Sequence, residues 1–195
     1  MQPDQNLTLL SATNTALVIV DVQERLVPAV WDHGQIVWNT RRLIEGAGLF
    51  EIPVIVTEQY PKGLGPTMPE LVAALPENTP VIEKKSFSAC LVPEFLDELS
   101  RRENVCKVLL TGMESHVCIL QTALDLLSLG YEVHLAADAV GSRCAGDRKI
   151  ALRRLESSGV MLTTTESVLF QWCRSADAPQ FKAVSKIVRE ERMPF

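Results

Sequence analysis

The sequence has no C-x-x-C pair, no basic run and no apolar stretch of membrane-spanning length, and each absence removes a class of function. Its five cysteines (Cys90, Cys106, Cys118, Cys144 and Cys173) are odd in number and widely scattered. They offer no zinc-site spacing, and reduced thiols in a cytoplasmic protein are the expectation. A net charge of −5 without a basic cluster argues against nucleic acid as a partner. The pairs Arg41-Arg42, Arg101-Arg102 and Arg153-Arg154 are isolated and read as solvated faces. No apolar run approaches the roughly 18 residues of a membrane span, so no membrane partner is expected. The polar start Met1-Gln2-Pro3-Asp4-Gln5-Asn6 lacks a positive segment leading into an apolar one, so no signal peptide is expected. No repeat, low-complexity tract or linker interrupts the chain. Its 195 residues, 47% of them hydrophobic, suffice for one domain, 1–195, with a sizeable core.

What is present is an alternation of apolar runs and helical stripes. Ala16-Leu17-Val18-Ile19-Val20 is uninterrupted and ends in Asp21, as expected of a strand buried on both faces. Pro53 to Thr57 and the weaker Pro80 to Glu83 follow, then Val105 to Thr111, Glu132 to Ala136 and Val160 to Thr163. Between them, Ile36, Val37, Thr40, Leu43, Ile44, Ala47 and Leu49 recur at helix spacing. Helices are likewise predicted after Pro93, through Ile119 to Leu127 up to Gly130, through Ala151 to Leu155 up to Gly159, and around Ala183 to Val188. This alternation predicts an α/β fold, a three-layer α/β/α Rossmann-like sandwich with a six-stranded, mainly parallel sheet. Glu58 to Pro69 reads as a long loop after the second strand, where such folds build sites.

Three ionisable groups share one structural address. Asp21 ends the first strand, Lys84 or Lys85 ends the third, and Cys118 follows the fourth, after the break at Thr111-Gly112. The positive end of a helix beginning near Val117 favours a thiolate there, with free N–H groups available to an oxyanion. A thiol of reference pKa about 8.5 is mostly protonated at neutral pH. A nearby ammonium lowers that value, and a carboxylate can take the thiol proton and return it to a leaving amine. Against this, free cysteines are commonly buried and inert, Asp21 could cap a turn, and adjacent lysines are usually a solvated pair. Alignment of all three at consecutive strand ends favours the site.

At these residues the chain resembles a known family. Leu17-Val18-Ile19-Val20-Asp21-Val22-Gln23 resembles the "hydrophobic run, D-x-Q" opening of the isochorismatase-like cysteine hydrolases. Glu83-Lys84-Lys85-Ser86-Phe87-Ser88-Ala89 is similar to their "K-x-x-x-S" segment, with Lys84 as the matching lysine. Gly112 to Cys118 resembles their "G-x-x-x-x-x-C" nucleophile turn, and Gly130 to Val133 with Ala137 to Arg143 resembles the strand and loop that follow. The likeness covers about residues 16 to 170. It implies a triad of Cys118 as nucleophile, Asp21 as general base and acid, and Lys84 as stabiliser of both. It also implies a cis peptide at Met113–Glu114, with the N–H groups of Glu114 and Cys118 aimed at the oxyanion.

Departures from the family narrow the reading. Members that bind a metal for pyridine-amide substrates carry an Asp-x-His pair and further histidines, whereas this chain has only His33, His116 and His134. No metal and no cofactor are expected, and nicotinamidase activity is disfavoured. Members that cleave the vinyl ether of isochorismate tend to lack the cysteine, so Cys118 points to a small amide- or carbamoyl-type substrate. The loop from Glu58 to Thr67 resembles that of the isochorismatase-domain-containing proteins. Gln23, Glu58, Gln59 and Tyr60 are candidates to line the pocket. His116 suggests a Cys-His dyad but, two residues from the cysteine in one turn, reads as locally packed. A homo-oligomer is implied by the resemblance. The alternatives are a catalytically weak member acting as a redox-sensitive or interaction protein, with Cys118 oxidation-prone, and a nucleotide-binding protein. The latter is disfavoured because Asp21-Val22-Gln23-Glu24-Arg25, not a Gly-rich loop, follows the first strand.

Overall fold

A computed structural model describes residues 9–191. The polar start Met1 to Asn6 and the outer ends of the 1–195 domain lie outside the described residues. Six strands form one sheet: β1 (Thr15–Val20), β2 (Val54–Gln59), β3 (Val81–Lys84), β4 (Lys107–Met113), β5 (Glu132–Gly141) and β6 (Met161–Thr163). Their order is β3-β2-β1-β4-β5-β6, and every neighbouring pair is parallel. Eight helices join them among the described residues: α1 (His33–Leu49), α2 (Pro61–Leu64), α3 (Pro69–Val72), α4 (Pro93–Ser100), α5 (Leu120–Ser128), α6 (Ala145–Ser157), α7 (Thr165–Cys173) and α8 (Phe181–Val188).

The layers follow from strand alternation. Leu17, Ile19, Val56 and Leu109 face one core, shared with Leu43 and Ile44 of α1, Val168 of α7 and Val184 of α8. Ala16, Val18, Val20 and Leu110 face the other, shared with Phe95 of α4, Ala123 of α5 and Leu155 of α6. Fully burying each such leucine or isoleucine stabilises the fold by about 1.5–3 kcal/mol. Every residue of β1 and β4 is buried, which is why both read as continuous apolar runs. Edge strand β3 alternates exposed and buried, hence its weaker pattern.

Three details depart from the sequence reading. Thr111-Gly112 does not end the fourth strand, which runs on to Met113. Gly112, at φ 115°, pairs with Val20, and a Cβ on it would meet Val20 O at 2.1 Å. The glycine there serves close backbone approach rather than chain termination. Second, β5 runs five residues past the predicted Ala136. Leu110 pairs with Leu135 and Gly112 with Val140, so β5 advances five residues where β4 advances two. The carbonyls of this bulge are occupied: Ala139 O by Thr111 Oγ1 (2.7 Å), Asp138 O by Asn39 Nδ2 (2.8 Å) and Val140 O by Arg148 Nε (3.0 Å). Third, the loop after β2 holds the one-turn helices α2 and α3, each with a proline at its start, and helix α7 had not been predicted.

His134 on β5 is buried, and its Nε2 has no hydrogen-bond partner among the described residues. Burial first, and the Lys107 ammonium second, push the imidazole down to about 4. The unfolded chain takes up a proton near pH 6.5 that the folded chain resists. This contribution to stability is therefore complete above about pH 6.5 and lost as pH falls toward 4, on the order of 3 kcal/mol. In urea titrations, His134→Gln should show a shallower loss of stability between pH 7 and pH 4.5 than the parent chain; parallel losses would refute the assignment.

Candidate active site

The sheet order places a crevice at the carboxyl ends of β1 and β4. From β1 the chain winds outward through β2 to β3, and from β4 it winds the opposite way, so the connections diverge between the two strands. Asp21 follows β1 directly and Cys118 lies five residues beyond β4. Asp21 sits at φ 54°, a left-handed conformation unfavourable for a residue with a side chain. It is held there by Asp21 N–H donating to Thr57 O (3.1 Å) and Gln23 N–H donating to Asp21 O (3.0 Å).

Lys84, the last residue of β3, reaches across to this point. Its Nζ lies 2.6 Å from Asp21 Oδ2, and both side chains are fully buried. The ammonium also donates to Phe87 O (3.2 Å), Ser86 O (3.3 Å) and, at the limit of a hydrogen bond, Gln59 Oε1 (3.5 Å). Thr57 Oγ1 donates to the other carboxylate oxygen at 2.7 Å. Cys118 completes the group, near enough that the Asp21 and Lys84 charges both act on its thiol.

Burial dominates the electrostatics. It raises the Asp21 carboxyl above its usual range, against the pull of Lys84 and the Lys84 and Thr57 hydrogen bonds. The Cys118 thiol is pushed up to about 12, by burial first and the Asp21 charge second, with Lys84 opposing. Against the expectation that the helix end and Lys84 favour a thiolate, desolvation and the neighbouring carboxylate outweigh the ammonium and push the thiol the other way. A raised carboxyl is also the better base.

The turn that carries Cys118 differs from a plain helix start. The Met113–Glu114 peptide is cis, as the resemblance implied, and Ser115–Ile119 forms one π-helical turn before α5. Two side chains tie this turn to the end of β5. Glu114 Oε1 accepts from Arg143 N (3.0 Å) and Arg143 Nε (3.1 Å), and His116 Nδ1 meets Ser142 Oγ at 2.9 Å. The imidazole nitrogen nearest the backbone is therefore engaged with Ser142.

The four pocket candidates separate. Gln23 is wholly buried, its amide donating to Gly65 O (2.6 Å) and Gln59 O (3.1 Å) and accepting from Gln59 N (2.8 Å). Glu58 Oε1 accepts from Thr67 N and Thr67 Oγ1, each at 2.7 Å. Both brace the loop after β2. Gln59 touches Lys84 and donates to Lys85 O (3.0 Å). Tyr60, 52% exposed, lines an open cleft of about 460 Å³ with Pro61, Lys62, Glu83, Lys84 and Lys85. Sequence reasoning missed Thr57, Ser142 and Arg143. Among the described residues no three His, Cys, Asp or Glu side chains are grouped to hold a metal ion.

The Cys118 turn, a buried carboxylate and a lysine at this switch point define an isochorismatase-type α/β/α domain. Residues 15–167 match the isochorismatase domain model, and the chain belongs to the isochorismatase family, a family of hydrolases. It is 43% identical over 177 residues to isochorismatase domain-containing protein 2A of Mus musculus, covering 91% of this chain and 84% of that one. Among solved structures it is similar to the MAR1 ribonuclease of Caenorhabditis elegans, with TM-score 0.90, 42% identity and 95% of each chain covered. It is also similar to YcaC of Escherichia coli, described as an octameric hydrolase of unknown specificity (TM-score 0.85, 25% identity, 92% and 90% covered). YcaC of Pseudomonas aeruginosa, solved with covalent acrylamide, gives TM-score 0.85, 25% identity, and 92% and 91% coverage.

Proposed function

We propose that the chain is a metal-independent cysteine hydrolase cleaving a C–N bond of a small amide- or carbamoyl-type substrate. The observation that carries this reading is the buried Asp21–Lys84 ion pair at 2.6 Å, whose charges both act on the thiol of Cys118. Asp21 takes the thiol proton as Sγ attacks the carbonyl carbon, and the C=O π electrons move to oxygen. The N–H groups of Glu114 and Cys118 receive that oxyanion. Collapse breaks the C–N bond while Asp21 returns the proton to the departing nitrogen, leaving a thioester. Water then gives a proton to Asp21 and its oxygen to the acyl carbon. The acid leaves and the proton returns to sulfur. Lys84 stays charged throughout, holding Asp21 in place and offsetting each negative charge in turn.

A soluble cytoplasmic homo-oligomer goes with this reading. It is supported by five unpaired cysteines and by the octamer described for the E. coli relative. No helix among the described residues is long and apolar enough to cross a membrane.

The test is a panel of small primary amides, carbamoyl compounds and a single-stranded RNA, the last because the nematode relative is named a ribonuclease. Ammonia release from one of the amides or carbamoyl compounds, lost in a folded Cys118→Ala variant, is expected. Turnover surviving that substitution would refute the mechanism. RNA cleavage lost with Cys118 would overturn the C–N assignment, and no turnover at all would favour the redox or interaction role.

A further inference from the structure

The bulge in β5 leaves Ser142 and Arg143 against the nucleophile turn, where neither takes part in the proton transfers above. The side chains of both reach that turn and none of the three triad residues. The Glu114 carboxylate, 7% exposed, receives two N–H groups of Arg143 on a single oxygen, and His116 is joined to the wholly buried Ser142. A peptide plane is fixed by what its side chain and neighbours are tied to, and hydrogen bonds to a charged acceptor hold more firmly than neutral ones. Cys118 lies four positions beyond Glu114, so a tilt of the Glu114 plane moves one oxyanion donor relative to the sulfur. Catalytic groups misplaced by about 1 Å lose on the order of 100-fold in rate.

We propose that the Glu114 side chain and Arg143 are positioning residues for the oxyanion site: the pair clamps the Glu114 peptide so that its N–H faces the oxygen on which charge develops. This rests on the reading of Cys118 as nucleophile and of Glu114 N–H as oxyanion donor. Arg143, 60% exposed in its side chain, acts through Glu114 and not on the substrate.

Two reagents that need no knowledge of the substrate separate this role from a merely structural one. With acrylamide, Sγ bonds to the terminal alkene carbon, and the alkene electrons move onto the carbonyl oxygen as an enolate. The thiol proton, taken up by Asp21, then closes that enolate at the α carbon. With iodoacetamide, Sγ displaces iodide from a saturated carbon and the carbonyl oxygen gains no charge. The ratio of the two rates at Cys118, read by mass mapping, therefore reports oxyanion stabilisation and cancels changes in thiolate fraction. In Glu114→Ala the ratio should fall about 10- to 100-fold, the range expected on loosening one oxyanion donor. In Arg143→Ala it should fall less, because Arg143 N–H still reaches Glu114. Glu114→Gln, which keeps an acceptor oxygen, should restore most of it. Thermal melts confirm that each variant is folded. An unchanged ratio in folded Glu114→Ala overturns the clamp. A parent chain whose Cys118 takes up neither reagent overturns the nucleophile reading beneath it, and the clamp with it.

Discussion

Asp21→Asn should lower turnover of the cleaved amide by about 10³–10⁴-fold, the size of a lost general base and acid, while making Cys118 easier to alkylate. The opposite signs follow from the two ways Asp21 acts on the thiol. Asparagine is isosteric and can still accept the Thr57 hydroxyl at 2.7 Å, but it cannot take up or return a proton. At the same time the Asp21 charge is the second cause, after burial, of the high Cys118 pKa, and Lys84 pulls the other way. Removing the carboxylate charge leaves the ammonium unopposed beside the sulfur, so the thiolate fraction rises. Iodoacetamide, which needs only thiolate, should react faster at pH 7. Turnover and alkylation falling together would mean that Asp21 merely shapes the site.

Lys84→Met should cost about 3–5 kcal/mol of stability near pH 8, the penalty for leaving one member of a buried ion pair without its partner. The loss should shrink as pH falls. Burial already raises the folded-state pKa of Asp21, and without Lys84 it rises further. A carboxyl whose folded pKa lies above its unfolded value is accommodated best when protonated. Stability is therefore retained near and below the unfolded value of about 3.9 and lost as pH rises through the folded value. The double variant Asp21→Asn with Lys84→Met removes both charges and should be more stable than Lys84→Met alone at pH 8. Urea unfolding of the parent, the single variants and the double gives the coupling directly; additive losses would contradict a buried ion pair.

The three residues proposed as a triad were legible because each stands at an abrupt change of pattern. Asp21 terminates a run with no other polar residue, and Cys118 follows a strand-to-helix break. The third strand end left Lys84 and Lys85 equivalent. The family motif separated them, and the β3 alternation agrees by burying Lys84 and exposing Lys85. The fate of Gln23 and Glu58 was not legible. It depends on which backbone groups the loop after β2 brings back over β1, where Thr67 pairs with Gln23 in an isolated antiparallel bridge. No local pattern encodes that return. Arg143 was hidden for a similar reason: Ala137-Asp138 breaks the apolar run of β5, and only pairing with β4 shows that the strand resumes. The upward push on the thiol was hidden for a different reason. The helix dipole and ammonium are local features that a sequence displays, whereas desolvation is a property of the assembled core.

Chain order also sets a sequence of events in time. Thr15 pairs with Lys107, so β1 leaves the ribosome long before the strand that will flank it. Asp21 and Lys84 can meet once β2 and β3 have docked beside β1, and sulfur joins them when β4 closes the other side. The Ser142–Arg143 contacts come last, from a segment synthesised after the turn it contacts. On the proposed mechanism, a nascent chain carries Cys118 and Asp21 before it carries the contacts that hold them in register, and reactivity matures late in synthesis.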